Sequence, residues 1–323
     1  MATEVSRLRA WLLHDGKAGN ISQLAGLARA LDAEATLLRA VVEGPMALLP
    51  GMLWRSGVVR RPPAGDRLAP PWPDLVIGAG RRTARAVLWV RRASGGRSFA
   101  MQFQDSGVPA RLVDLVTVPR HDRLRGANVI VTEGAIHKVT TEDLVAAAAT
   151  WAPQLAHLPS PRVAVLIGGS SRTYRMTEAA AAGLADALMA LRRETGAALM
   201  VTASRRTGPA AGALLRARLA GDGIAFWDGA GDNPYLGYLA AADAIVVTAD
   251  SVSMASEAAA TGKPVMVAEM PGGSARFARF HARLRELGIA RPFTGRLESW
   301  GYAPPDDAGR VAAEIRRRLA PQR

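Results

Sequence analysis

The segment Asp243–Met270 holds the most specific chemistry in the chain. An apolar strand is predicted to end near Asp250, and a helix to begin at Ser251–Ser253 and continue through Met254. Backbone N–H groups at a helix start bind phosphate oxygens. Glu257 follows about one helical turn later, where its carboxylate can accept two hydroxyl protons from a ribose. We therefore expect a nucleotide diphosphate site here.

An alternative is that Glu257 is an exposed helix residue without a ligand. Its neighbours Ala255, Ala258 and Ala259 are small and predict close packing. A carboxylate without a partner would be costly in such surroundings, and this favours the ribose-binding role.

A glycine-rich loop follows another predicted strand, Val163–Ile167. Gly168 and Gly169 lack side chains where a backbone must approach something closely. The hydroxyls and amides of Ser170 and Ser171 can donate to phosphate oxygens, and Arg172 can neutralise them. A plain glycine-rich turn without a ligand is the alternative.

Two further loops come after predicted strands of the same half. Arg205 and Arg206 follow Leu199–Thr202 and can contact a pyrophosphate or an acceptor, although surface arginines are common in this chain. Phe226 and Trp227 lie at the end of the next strand, where their backbone groups could bind a nucleobase.

Candidates for a general base lie in the first half of the chain. His14 and Asp15 end the first predicted strand and precede the Gly16–Asn20 loop, which is a weak nucleotide motif. Either could deprotonate an acceptor hydroxyl. Asp105 and the His121–Asp122 pair compete for that role.

Short apolar runs alternate with helical patterns throughout, which is typical of β-α-β units in an α/β fold with largely parallel sheets. The prolines of His157–Pro161 predict a linker between two domains. We expect an acceptor-side domain at residues 1–157 and a donor domain at 162–305. A C-terminal helix at 306–323, which packs back on the first domain, would complete the chain. Ligands gather at the carboxyl ends of parallel strands.

The composition limits the classes of function. The chain has 323 residues, no cysteine and a formal net charge of +13. Its five histidines show no metal-binding spacing, so we expect no metal and no cofactor beyond a nucleotide-sugar substrate. The charge favours anionic partners, but aromatic residues are only 5% and no nucleic-acid motif is present, so no nucleic-acid partner is expected. A coding bias toward arginine is the alternative explanation of this charge.

Membrane contact is expected to be peripheral. The apolar runs are shorter than the roughly 20 residues that span a bilayer, and the N-terminus predicts a first strand rather than a signal peptide. We expect a cytoplasmic protein that can dock on the anionic inner face of the cytoplasmic membrane. The apolar segment MALLPGMLW, beginning at Met46, could contribute to such docking.

Several of these motifs resemble known families. The serine-rich turn, Glu257 and the Gly-Lys-Pro turn of Asp243–Met270 resemble the donor half of glycosyltransferase-B enzymes such as the lipid II-forming N-acetylglucosaminyltransferase. HDGKAGNISQ, DLVIGAGRRTA, QFQDS, DLVTVPRHD, GGSSRTY and VTADSVSMASEA resemble bacterial relatives of the plant "elongated mitochondria" fission protein over roughly residues 9–300.

The resemblance implies a glycosyltransferase-B-like fold, with two Rossmann-like domains facing across a cleft. It implies a metal-independent glycosyltransferase that uses a nucleoside-diphosphate sugar, with UDP expected, and an acceptor that could be lipid-linked. The GGTGGH loop of the lipid II enzyme is represented only by HDGKAGN, with Asn20 near the place of its histidine, and no DxD motif is present.

Two other functions remain open. A nucleotide-sugar 2-epimerase shares the architecture and would need acid and base groups such as Asp105, Glu133 and His121. A non-catalytic, membrane-associated interaction protein with a degenerate nucleotide site would tolerate the loss of Glu257.

Overall fold

The computed structural model describes residues 7–41 and 64–320. These residues form two compact units, one made by the chain up to Lys138 together with the segment from Asp306, the other by Val139–Pro305. We call them unit 1 and unit 2. The segment MALLPGMLW lies outside the described residues. Among the described helices, none has the length and apolarity needed to cross a membrane.

Unit 1 is built on a seven-stranded sheet in the order β3-β2-β1-β4-β5-β6-β7. All neighbouring strands are parallel except the short β3, which is antiparallel to β2. The strands are β1 (Arg9–His14), β2 (Glu34–Val41), β3 (Ala64–Gly65), β4 (Leu75–Ala79), β5 (Phe99–Phe103), β6 (Leu115–Pro119) and β7 (Val129–Thr132).

Helices cover both faces of this sheet. They are α1 (Ala18–Ala30), α2 (Ala84–Ala93) and α9 (Asp307–Leu319), and a 3-10 turn lies at Ala110–Leu112. Leu24 of α1 and Val311 of α9 share one buried cluster with β1 and β4. Val87 of α2 belongs to the cluster on the opposite face. The C-terminal helix thus forms part of the core of unit 1.

Unit 2 contains a six-stranded parallel sheet in the order β10-β9-β8-β11-β12-β13. The strands are β8 (Arg162–Ile167), β9 (Ala198–Ala203), β10 (Ile224–Trp227), β11 (Ala244–Thr248), β12 (Val265–Ala268) and β13 (Ala290–Pro292). The helices are α3 (Thr141–Leu155), α4 (Glu178–Thr195), α5 (Pro209–Arg218), α6 (Tyr235–Ala241), α7 (Val252–Ala259) and α8 (Ala275–Glu286).

The division between the units differs from the sequence expectation. The linker was expected at His157–Pro161, but α3 already belongs to unit 2. Trp151 of α3 packs so closely on α6 that a Cβ at Gly237 would lie 2.3 Å from its ring. Because this contact joins residues far apart in the sequence, local composition did not indicate it. The α/β architecture with two Rossmann-like units is confirmed.

Candidate functional site

The candidate site of unit 2 lies where the strand order reverses. β8 is flanked by β9 on one side and by β11 on the other, and such a reversal opens a crevice at the carboxyl ends of the strands. The Gly168–Ser171 loop follows β8, and the Ser251 turn follows β11. The fold therefore brings together the two loops that the sequence singled out.

Asp250 joins these loops. Its side chain is fully buried and lies 2.7 Å from an Nη of Arg206. It accepts hydrogen bonds from the Gly169 N–H at 2.9 Å and from the Thr248 hydroxyl at 2.7 Å. Asp250 was expected to contact the ligand; here its carboxylate holds the ends of β8, β9 and β11 together.

This arrangement explains the two glycines. A Cβ on Gly168 would lie 2.3 Å from the carboxylate oxygens of Asp250, and one on Gly169 would lie 2.0 Å from the Arg206 carbonyl. The hydroxyls of Ser204 and Thr207 both donate to the Gly168 carbonyl at 2.6 Å. Close packing within the protein therefore requires glycine at both positions.

The rest of the loop forms a tight local turn. The Ser170 hydroxyl accepts from the Met176 N–H, and the Ser171 hydroxyl accepts from the Thr173 and Tyr174 N–H groups. Arg172 is exposed at the tip of the turn. Both serine hydroxyls thus stabilise the loop itself, while the arginine faces solvent.

A pocket of about 990 Å³ lies beside the loop, over the ends of β9 and β10. Arg205, Phe226, Trp227 and Met254, all expected at a nucleotide site, line it. Ser204 and Thr207 connect its wall to the Gly168 carbonyl. The size suits a nucleotide, because small-molecule pockets typically measure roughly 300–1,000 Å³.

Helix α7 begins at this pocket. The Ser251 hydroxyl caps it by accepting the Met254 N–H at 3.3 Å, and Ser253 is half-buried in its first turn. Glu257 accepts a hydrogen bond of 2.6 Å from the hydroxyl of Tyr235, which also lines the pocket. Burial, the charge of Glu257 and this hydrogen bond hold the pKa of Tyr235 well above its ordinary value. The phenol therefore remains a donor.

A second pocket of about 440 Å³ lies over β11, β12 and β13. Tyr174, Glu269 and His281 are among its lining residues. His281 Nε2 donates to the Ala249 carbonyl at 2.8 Å, since a carbonyl can only accept. Burial lowers the pKa of His281, so its ring is neutral near pH 7.

In unit 1, Asp15 is the best-defined catalytic candidate. Its side chain is 1% exposed, with Lys17 Nζ at 3.1 Å and Asn20 donating at 2.8 Å. Burial raises the pKa of Asp15, but the hydrogen bonds of Asn20 and Lys17 and the Lys17 charge together bring it below the ordinary value. His14 Nδ1 accepts the Gly16 N–H at 3.0 Å, which leaves the proton of the neutral ring on Nε2.

The other acid–base candidates have local structural partners. Asp105 is exposed and accepts the Gly107 N–H. His121 has a side chain only 1% exposed. Glu133 forms a two-bond ion pair with Arg120, at 2.9 and 3.0 Å.

Within residues 7–41 and 64–320, no group of three or more histidine, aspartate or glutamate side chains is arranged to hold a metal ion.

Some site residues were not predicted from the sequence. Tyr235 was expected only as the start of a helix, and Thr248 only as part of a strand. Their contacts with Glu257 and Asp250 depend on packing between elements, which local motifs do not reveal. For Thr248, the Thr-Ala-Asp-Ser sequence at the end of β11 is the one feature of the sequence that could have indicated a role in the site.

The chain shares its fold with solved UDP-GlcNAc 2-epimerases and glycosyltransferases. The UDP-GlcNAc 2-epimerase of Methanocaldococcus jannaschii superposes with a TM-score of 0.60 at 13% identity, covering 97% of this chain and 99% of that one. The glycosyltransferase SnogD of Streptomyces nogalater gives a TM-score of 0.51 at 15% identity, covering 97% and 95%. At these identities the likeness shows the fold alone.

A family model described as mitochondrial fission ELM1 matches residues 18–319, and the chain belongs to that family. It is 35% identical over 276 residues to mitochondrial fission protein ELM1 of Arabidopsis thaliana, which covers 77% of this chain but 64% of the plant protein. It is 26% identical over 348 residues to an uncharacterized protein of Rickettsia prowazekii (strain Madrid E), covering 95% and 97%.

Proposed function

We propose that the protein is a metal-independent glycosyltransferase that takes a sugar from a nucleoside diphosphate, with UDP as the nucleotide. The observation that carries the proposal is the pocket of about 990 Å³, which adjoins the start of α7 and the Tyr235–Glu257 pair. The pocket would hold the base, the start of α7 the phosphates, and the Glu257 carboxylate the ribose.

The nucleoside would occupy this pocket. Phe226 and Trp227 form its wall at the end of β10, where backbone groups can meet the edge of a base. Glu257 would accept the ribose hydroxyls, and the Tyr235 hydroxyl would fix the orientation of its carboxylate. Hydrogen bonds to a charged acceptor are the stronger kind, which suits a ribose anchor.

The diphosphate would lie against the first turn of α7. The positive end of the helix dipole and its N–H groups favour an anion there. Arg205 lines the pocket, and Arg172 is exposed on the neighbouring loop. These groups would stabilise the negative charge that develops on the departing diphosphate. The glycosyl group would extend toward the second pocket, over β11 and β12.

The acceptor would be activated from unit 1, with Asp15 as the base. Its lowered pKa keeps the carboxylate ionised near pH 7. His14 would donate from Nε2. Asp105 remains a candidate, because it is exposed. An acceptor attached to a lipid would fit the net charge of +13, which favours an anionic membrane surface.

The 2-epimerase alternative has less support from side-chain geometry. Of the acid and base groups it would use, Glu133 is engaged by Arg120 in a two-bond ion pair. The solved epimerases share the fold but not the sequence.

A thermal-shift panel with UDP, GDP, ADP and UDP-sugars tests the proposal. A ligand that binds only the folded state adds about 2.7 kcal/mol to the free energy of unfolding when its concentration is a hundredfold above Kd. The melting temperature therefore rises. We expect UDP and UDP-sugars to stabilise the wild type, and Glu257→Gln to lose the effect. Glu194→Gln, at an exposed position on α4, is the matched control. Absence of stabilisation by every nucleotide would refute the transferase; a nucleotide effect that survives Glu257→Gln would refute the assigned ribose site.

A further inference from the structure

The contact between Tyr235 and Glu257 depends on the position of a short helix. α6 comprises Tyr235–Ala241, and Tyr235 is its first residue. Seven residues at about 1.5 Å each make a rod of roughly 10 Å. A movement at the far end of α6 therefore displaces the hydroxyl that meets Glu257.

Lys263 holds that far end. Its Nζ donates to the Leu239 carbonyl at 2.9 Å and to the Ala240 carbonyl at 2.5 Å. These carbonyls belong to the last turn of α6, where helical carbonyls lack partners within the helix and a cation is favoured. Burial lowers the pKa of Lys263 to about 8, although the negative charge of Asp243 acts in the other direction and raises it. The ammonium is thus partly withdrawn from solvent.

Lys263 is itself fixed to the helix that carries Glu257. α7 ends at Ala259, four residues before Lys263. The Tyr302 hydroxyl donates to the Lys263 carbonyl at 2.8 Å, and the Lys263 N–H donates to the Thr261 hydroxyl at 3.2 Å. One side chain therefore connects the helix bearing Tyr235 with the turn that directly follows the helix bearing Glu257.

The composition of the chain supports a specific need for lysine here. Of its 41 lysine and arginine residues, only Lys17, Lys138 and Lys263 are lysines. An ammonium carries three donors on one nitrogen, so a single atom can serve two adjacent carbonyls. A guanidinium is a larger planar fork and does not replace it at such a site.

We infer that Lys263 is a positioning residue of the nucleotide site, which holds α6 so that the Tyr235 hydroxyl meets Glu257. The inference rests on the proposed function, because its readout is nucleotide affinity.

A double-mutant cycle on the Kd for UDP tests this role. Lys263→Met and Tyr235→Phe are each expected to weaken binding about tenfold, the loss of one charge-assisted interaction. If Lys263 acts through Tyr235, the double variant binds no more weakly than Tyr235→Phe alone, because coupled residues are not additive. If Lys263→Met does not fold, the cycle is measured with Lys263→Arg instead. We then expect a smaller loss of affinity for UDP, and the losses should again not be additive with Tyr235→Phe.

Arg162→Met is the matched control. Arg162 also donates to a backbone carbonyl of unit 2, that of Leu158, through Nε and an Nη at 3.2 and 3.0 Å. It lies at the amino end of the central strand β8, whereas the pocket lies over the carboxyl ends of β9 and β10. The control variant should lower the melting temperature and leave the Kd unchanged. Additive losses in the cycle, or an unchanged Kd in Lys263→Met, would overturn the positioning role alone. A wild type that does not bind UDP would overturn the proposed function together with it.

Discussion

At the scale of single residues, the buried carboxylate of Asp250 constrains the conformation and the residue types of the neighbouring Gly168–Ser171 loop. It accepts from the Gly169 N–H and the Thr248 hydroxyl, and it pairs with Arg206. The sequence indicated that the backbone at Gly168 and Gly169 must approach another group too closely for a side chain to fit. It could not show that the group close to Gly168 was this aspartate, which lies about 80 residues further along the chain.

Replacing Gly168 by alanine tests this packing. The new Cβ would lie 2.3 Å from the Asp250 carboxylate, and we expect a loss of roughly 2–3 kcal/mol in the free energy of unfolding, as in an overpacked core. Urea denaturation measures it. Gly183→Ala is the control: apart from the adjacent backbone of its own helix, no atom lies within 4 Å of the added Cβ, and alanine should add about 1 kcal/mol of stability within α4. Equal effects at the two positions would contradict the account.

At the scale of elements, periodicity predicted most of unit 2 closely. The helical periodicity of the sequence predicts helices at Tyr235–Ala242 and Ser253–Ala260, and the structure has them at Tyr235–Ala241 and Val252–Ala259. Helices α3 and α8 were not predicted. The outer face of α3 is largely exposed alanine, which gives no amphipathic pattern, and α8 carries four arginines among its apolar residues.

The C-terminal helix α9 gives a pH-dependent prediction. Arg317 and Arg318 both donate to Glu314 at 2.7 Å, and these hydrogen bonds lower the pKa of Glu314 to about 2. A lowered acid pKa adds stability that is fully present above the unfolded value of about 4.3 and is lost as the pH falls toward 2. Because Arg317 is largely exposed and solvent also reaches Glu314 and Arg318, the effect is expected to be modest.

Urea midpoints of the wild type and Glu314→Gln would measure this effect. The wild type should be more stable at pH 6, and the difference should shrink steadily as the pH is lowered from 4.5 toward 2. Glu194→Gln, at an exposed position on α4, should show no such trend. A difference for Glu314→Gln that stays constant with pH would show that the two arginines do not stabilise its charge.

At the scale of the whole molecule, alternating strands and helices predicted two Rossmann-like units, and the structure confirms them. Motif spacing also placed several residues that line the larger pocket at the ends of neighbouring strands. The partners of Glu257 and Asp250 could not be predicted from the sequence, because Tyr235 and Arg206 approach them only through packing between separate elements.

The most direct test compares the affinities of UDP and 2′-deoxy-UDP. If Glu257 accepts the ribose hydroxyls, the wild type should bind UDP about tenfold more tightly, the value of one hydrogen bond to a charged group. Glu257→Gln should bind both ligands with similar, weaker affinity, and Glu194→Gln should behave as the wild type does. Equal affinities in the wild type, or a preference for UDP that persists in Glu257→Gln, would contradict the assignment of the ribose site.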